Sequence, residues 1–351
     1  MAFDPNNLKS KDFKQRYEAW ELLFVYLDHG VVTPQDTRLA LSKFILDLLS
    51  SPDLDIRLDA WQHLPALIDH KVIHHDEVRA SIKYLVEILQ SRSTFDRIKA
   101  WKVLLELFTR GALSMEYIRS LIDLFYDLLK SEDAEAWRLV ALMIALGIST
   151  PQEVRPFSNH FLELLKAQNE YARLTAWEGV LDLMKYGIVD LREVKPLGNY
   201  FLELLKVQDE YRREEAWRLV PGLIDSEIVK PEDVRPLVKY LVDLLVGQRN
   251  LFSLHFSFRN IEDLIRYFIG HGVITSDNVA HFFPLLQSES SDIRSFALEI
   301  IYNVMIANKD SNLVLSFLKH QDLGLRIWAW SHLPDFISHK IVSPEAVSYT
   351  H

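Results

Sequence analysis

From Asp55 to Ile68 the apolar positions include Ile56, Ala60, Trp61, Leu64, Leu67 and Ile68. Steps of three, four and one residue gather them on one broad face of a helix, with polar residues on the other. The same pattern returns around Ala19-Trp20, Ala100-Trp101, Ala136-Trp137, Ala176-Trp177, Ala216-Trp217 and Ala329-Trp330. The first six of these Trp lie 41, 40, 36, 40 and 40 residues apart. A small Ala beside a large Trp lets a neighbouring helix approach and then fills the gap beside it, so the Trp series reads as core.

Each of these helices carries an end signal, as in Asp28-His29-Gly30, Asp69-His70-Lys71, Lys185-Tyr186-Gly187, Gly270-His271-Gly272 and Ser338-His339-Lys340. Gly suits the left-handed residue after a helix, and His or Lys suits the negative end of the helix dipole. A start signal comes next: Thr33-Pro34-Gln35-Asp36, Thr150-Pro151-Gln152-Glu153 and Ser343-Pro344-Glu345. The hydroxyl caps the first amides, Pro takes the first helical position and an acid sits near the third. A second amphipathic helix follows, as at Asn199 to Leu205. Pro156, Pro196 and Pro236 fall in its first turns and predict a bend, or a split into a short and a longer piece. The unit is therefore an antiparallel helix pair, and Pro151–Asp190 and Leu191–Lys230 repeat it with 20 of 40 positions identical.

The Asp55-Ile56-Arg57…Ala60…Leu64 and Asp292-Ile293-Arg294…Ala297 rhythms make this unit resemble a HEAT repeat, with some likeness to armadillo repeats. The resemblance implies an all-α fold, an α-solenoid of about eight to nine stacked helix pairs whose second helices line an extended concave face. The expected organisation is a single continuous array over residues 1–351. The Trp that follows Ala departs from the general pattern.

The period breaks in two zones. Near 247–272 no Ala-Trp occurs, and aromatics cluster instead. Near 298–330 Leu298 takes the Trp place, and only 32 residues separate it from Trp330. The copy at Trp137 is four residues short, about one helical turn, which predicts a tight connection before it. It also carries Asp133 where the others carry Arg16, Arg57, Arg97, Arg173, Arg213 and Arg326, four residues before the Trp. Those Arg are expected to be structural, lying over their own Trp and pairing with a neighbouring Asp. Neither end has the long polar helix that caps many arrays, so the ends are expected to be short or to stack on another chain, as in a homo-oligomer.

Composition narrows the chemistry. Cys is absent, which excludes disulfides, Cys-based zinc sites and a Cys nucleophile. No apolar run is long enough for a membrane helix, the first residues lack an apolar signal core, and a cytoplasmic location is the default expectation. A net charge of −10 disfavours polyanions as partners. No Walker loop, G-x-S-x-G or G-x-G-x-x-G occurs. His70, His74 and His75 with Asp76 and Glu77 have the look of a metal cluster. Their places recur in the repeats as helix-end and capping positions, so no metal and no cofactor are expected. Glu132-Asp133, Glu214-Glu215 and Glu232-Asp233 are paired acids, but they fall at helix starts or on polar faces, and no catalytic residues or enzyme activity are expected.

Two groups of residues are candidates for partner binding. One is the row directly after each Trp, namely Glu21, Gln62, Lys102, Arg138, Glu178 and Arg218, exposed by the helical pattern and varied between copies. The other is the aromatic zone: Phe252, Phe256 and Phe258 with His255 and Arg259, and then Tyr267 and Phe268. It reads either as a distorted repeat packing aromatics inward or as a groove for an apolar partner segment. The function expected is a non-enzymatic protein–protein interaction scaffold, binding its partner on the concave face. Two alternatives stand beside it: nucleic-acid binding of the kind seen in HEAT-like DNA glycosylases, and a self-assembling structural array.

Overall fold

A computed structural model describes residues 3–246 and 258–348 of the chain, with side chains for 3–246 and 261–347. Helices dominate, and no strand occurs among the described residues. The chain divides into two compact units, residues 1–167 with 182–189, and residues 168–181 with 190–351. Each is an all-α, HEAT-like stack of helix pairs.

In the first unit the Trp helices are Phe13–Asp28, Leu54–Asp69, Thr94–Thr109 and Glu135–Ala145. They alternate with first-type helices, beginning with Pro34–Leu49. The expected split of the first-type helix occurs at Pro156, as Pro151–Val154, a 3₁₀ turn Arg155–Phe157 and then Ser158–Leu164. In the second unit it recurs at Pro196 and Pro236. The break is also present without Pro, between His75–Ser81 and Lys83–Leu89, and between Met115–Ser120 and Ile122–Leu129. It thus belongs to the packing of the pair, and Pro suits a turn already made.

The Trp side chains at 20, 61, 101, 137, 177 and 217 are fully buried. Three of them pack on an aromatic of the next first-type helix, Trp101 on Phe125, Trp137 on Phe161 and, in the second unit, Trp177 on Phe201, with ring centroids 5.3–5.4 Å apart. Such tilted and edge-on pairs add to the burial itself. Trp61, Trp217 and Trp330 also donate their indole N–H to the carbonyl twelve residues back, Leu49, Leu205 and Leu318. The indole N–H of Trp20, Trp101 and Trp137 has no such partner.

The capping signals work as read. Thr33, Thr150 and Ser343 accept the amides of Asp36, Glu153 and Ala346. The helix ends close with a left-handed residue, Gly at 30, 111, 147, 187 and 272. Lys71 and Lys340 take that position themselves, at φ 59° and 58°. Their place is thus set by backbone geometry as well as by the helix dipole, and an L side chain there costs roughly 1 kcal/mol relative to Gly.

The short copy at Trp137 corrects one expectation. Trp20, Trp61, Trp101, Trp177 and Trp217 are each the eighth residue of a 16-residue helix, whereas Trp137 is the third of 11. The missing residues come out of the first turn of the helix, and the connector keeps its ordinary length. Asp133 therefore stands at the helix entry, where its carboxylate accepts the amide of Glu135 at 3.0 Å. That is a capping role, and Arg could not fill it.

Candidate functional site

The residues that directly follow the Trp lie next to a buried frame. Glu21, Gln62, Lys102 and Arg138 are exposed in the first unit, and Glu178 and Arg218 are half-buried in the second. In the first unit Lys102 Nζ lies 3.5 Å from Glu135, and Arg138 reaches the same carboxylate at 3.3 Å. In the second, Arg218 donates to Glu215 at 2.7 Å and to Glu214 at 3.0 Å. Glu214 is 5% exposed and stands where other copies carry Leu58, Ile98 and Leu174. Arg218 thus neutralises an acid held at an apolar position, which ties it into the fold.

The aromatic zone divides. Phe252, His255 and Phe256 lie outside the described residues. Phe258 and Arg259 open the helix Phe258–Gly270, and their side chains lie outside them too. Phe268 is buried and packs edge-on against Trp217 at 5.7 Å. The Tyr267 hydroxyl lies 2.6 Å from the Asp225 carboxylate, with His271 stacked on its ring at 3.8 Å. Burial, then the bond to Asp225, push the Tyr267 hydroxyl well above its ordinary pKa. These two aromatics serve the packing of the second unit.

The His and carboxylate clusters have local partners. His70 Nε2 lies 3.2 Å from Asp28. The His74 amide donates to Glu77 at 2.8 Å, and Arg38 grips the same carboxylate with both of its terminal nitrogens. Burial pushes the Glu77 carboxyl up, but the His74 amide and Arg38 outweigh it and hold it below the usual range. Among the described residues no group of three or more His, Asp or Glu is placed to hold a metal ion. Of the paired acids, Glu214 and Glu215 meet Arg218, Asp133 caps a helix, and Asp233 accepts the Lys230 amide.

The Arg four before each Trp are structural in a way the spacing did not reveal. Arg57 donates to Glu87 and Arg97 to the Leu124 carbonyl, whereas Arg16, Arg213 and Arg326, with Arg294 of the Leu298 copy, donate to the carbonyl six residues upstream, Ser10, Val207, His320 and Ser288. These last four tie down the connector that enters their helix. Arg16 also meets Asp59 at 2.6 Å on the next Trp helix.

A second Arg series joins neighbouring helix pairs. Arg38, Arg79, Arg155 and Arg235 sit on first-type helices and donate to backbone carbonyls in the turn of the next pair, Val72, Ala112, Gly187 and Gly272. Arg119 pairs with Glu153 instead. Arg79, Arg155 and Arg235 each follow a Val just before the split, whereas Arg38 follows Thr37 in the unsplit helix Pro34–Leu49. In the first unit a groove of ≈ 410 Å³ lies beside this contact, lined by Arg79, Ile82, Ala112, Leu113 and Tyr117.

No protein-family model matches the chain, and no curated protein matches it. Solved structures similar to it include importin beta in an ammonium sulfate condition, at 13% identity and a TM-score of 0.45, over 99% of this chain and 45% of that one. A mutant of Kap121p is similar at 14% identity and a TM-score of 0.35, over 99% of this chain and 44% of that one. The chain spans less than half the length of either.

Proposed function

We propose that the chain is a non-enzymatic scaffold that binds a protein partner along the solvent face of its Trp helices. One observation carries this reading. Ala and Trp stay constant and buried from copy to copy, while the residue directly after them faces outward and changes: Glu21, Gln62, Lys102, Arg138. A fixed frame with a varied exposed row presents a non-repeating sequence of side chains at regular intervals, as recognition of one extended partner requires.

The experiment is affinity capture from the native host with quantitative identification of what is bound. The wild type is compared with a chain carrying Ala at Glu21, Gln62, Lys102 and Arg138. A control chain carries Ala at four exposed first-helix positions: Lys43, Lys83, Asp123 and Asn159. The expected result is a partner retained by the wild type and the control and lost by the row variant. Equal capture by all three chains, or none specific to the wild type, overturns the reading.

A further inference from the structure

The solvent face of the Trp helices changes sign within the first unit. The first two helices turn Glu18, Glu21, Asp28, Asp55 and Asp69 outward. On the next two, Lys102 and Arg138 share one carboxylate, Glu135, Lys99 lies over the Phe95 ring, and the exposed Glu106 is paired with Arg110. Lys99 and Lys102 are three apart on one helix and so share a face. Lys102 and Arg138 hold the same register on neighbouring helices, and both reach Glu135. Their side chains remain about half exposed, at 50% and 51%. Apolar surface flanks them: Phe95 is 61% exposed beneath the Lys99 ammonium, and Leu142 is 44% exposed one turn beyond Arg138. In a chain of net charge −10, two cations on one carboxylate, with Lys99 on the same helix face, run against the prevailing sign.

We infer that this basic spot docks an acidic, Asp/Glu-rich segment of a protein partner, with a partner carboxylate entering between Lys102 and Arg138 in competition with Glu135. The inference rests on the scaffold reading and gives it a partner chemistry. Complementary charge supplies orientation and on-rate, and the exposed Phe95 and Leu142 supply apolar contact beside it. The acidic helices next to the spot argue for a protein segment over nucleic acid. A phosphate backbone continuing along the row would run onto Glu21, Asp28 and Asp55, whereas a protein segment can change its own sign there.

The test measures fluorescence anisotropy of three labelled probes at low salt: an oligo-glutamate peptide, an oligo-lysine peptide of equal length and a DNA duplex. The oligo-glutamate binds the wild type, and its binding weakens as salt rises. Lys102→Glu with Arg138→Glu lowers that affinity by about tenfold or more, and Glu135→Gln raises it by roughly threefold as the competing carboxylate is lost. Circular dichroism checks that both variants keep the wild-type helix content, and the opposite directions expected of them exclude a general loss of fold. The inference is overturned if oligo-glutamate fails to bind, if the charge reversal leaves its affinity unchanged, or if Glu135→Gln does not raise it. Tighter binding of the duplex through the same two cations also overturns it, in favour of nucleic acid. A partner captured through the row without any oligo-glutamate binding sinks this inference and leaves the scaffold reading standing.

Discussion

The indole of Trp20 lies flat on the imidazole of His63, 4.6 Å between centroids and 7° between planes. His63 Nδ1 sits 2.8 Å from the Asp59 carbonyl, and Phe24 covers the ring from the same side of the Trp helix. Burial lowers the His63 pKa from 6.5, and this outweighs the opposing pull of Asp59 and Glu21. The folded chain thus takes up this proton later than the unfolded chain does. The stability tied to His63 is complete above about pH 6.5 and falls as pH drops below that value. Urea unfolding at a series of pH values, for the wild type and His63→Phe, measures this. The variant keeps a ring on Trp20 and should lose less stability between pH 7 and pH 5 than the wild type does. Identical slopes would refute the assignment.

Trp61 and Trp101 are both fully buried, yet only the Trp61 indole has a hydrogen-bond partner, Leu49 at 3.1 Å. Trp→Phe at either position removes similar volume. At 61 it also strands a buried carbonyl, while at 101 it removes an N–H that had no partner. Trp61→Phe should therefore cost about 1 kcal/mol more than Trp101→Phe. Denaturant midpoints of the two variants make the comparison.

Lys71 holds a left-handed backbone, with its amide bonded to the Ile68 carbonyl at 2.8 Å. Lys71→Gly should raise stability by roughly 0.5–1 kcal/mol, because Gly adopts this conformation without steric cost. Gly147 is the mirror case at φ 72°, and Gly147→Ala should lower stability by about 1 kcal/mol. Opposite shifts of the thermal midpoint are expected. A gain at both sites would show that the backbone geometry does not govern these turns.

Arg235 donates to the Gly272 carbonyl at 2.9 Å, in a turn that Asn278 also holds through the Val273 carbonyl. Arg235→Ala frees that carbonyl and should destabilise the second unit by about 1–2 kcal/mol. Hydrogen exchange should quicken at the amides around residues 272–274 before the rest of the unit responds. Unchanged exchange there would mean that the arginine contributes little.

The helix pairs, their caps and the split at Pro156, Pro196 and Pro236 were legible because each follows from residues a few positions apart. Lys102 and Arg138 were placed at exposed positions by the helical pattern alone. Contacts across pairs were not legible. The Trp20–His63 stack joins residues more than forty positions apart, and the Arg38, Arg79 and Arg155 bonds end on carbonyls, which leave no mark in the sequence. Arg218 was expected at an exposed position, because nothing local says that Glu214 occupies an apolar slot. The four-residue deficit before Trp137 was visible, but whether the connector or the helix had lost it depended on where the backbone begins to coil.

That deficit has a consequence for how the array can vary. Because the turn was removed from the free end of Glu135–Ala145, everything downstream keeps its rotational phase, and Arg138 still stands beside Lys102. The entry edge of a Trp helix is thus an editable margin, where residues can be gained or lost without reshuffling the face beyond it. Foreign segments grafted at Ser131–Glu132 should leave the row in register, whereas a single residue inserted after Trp137 would turn every later side chain of that helix by about 100°.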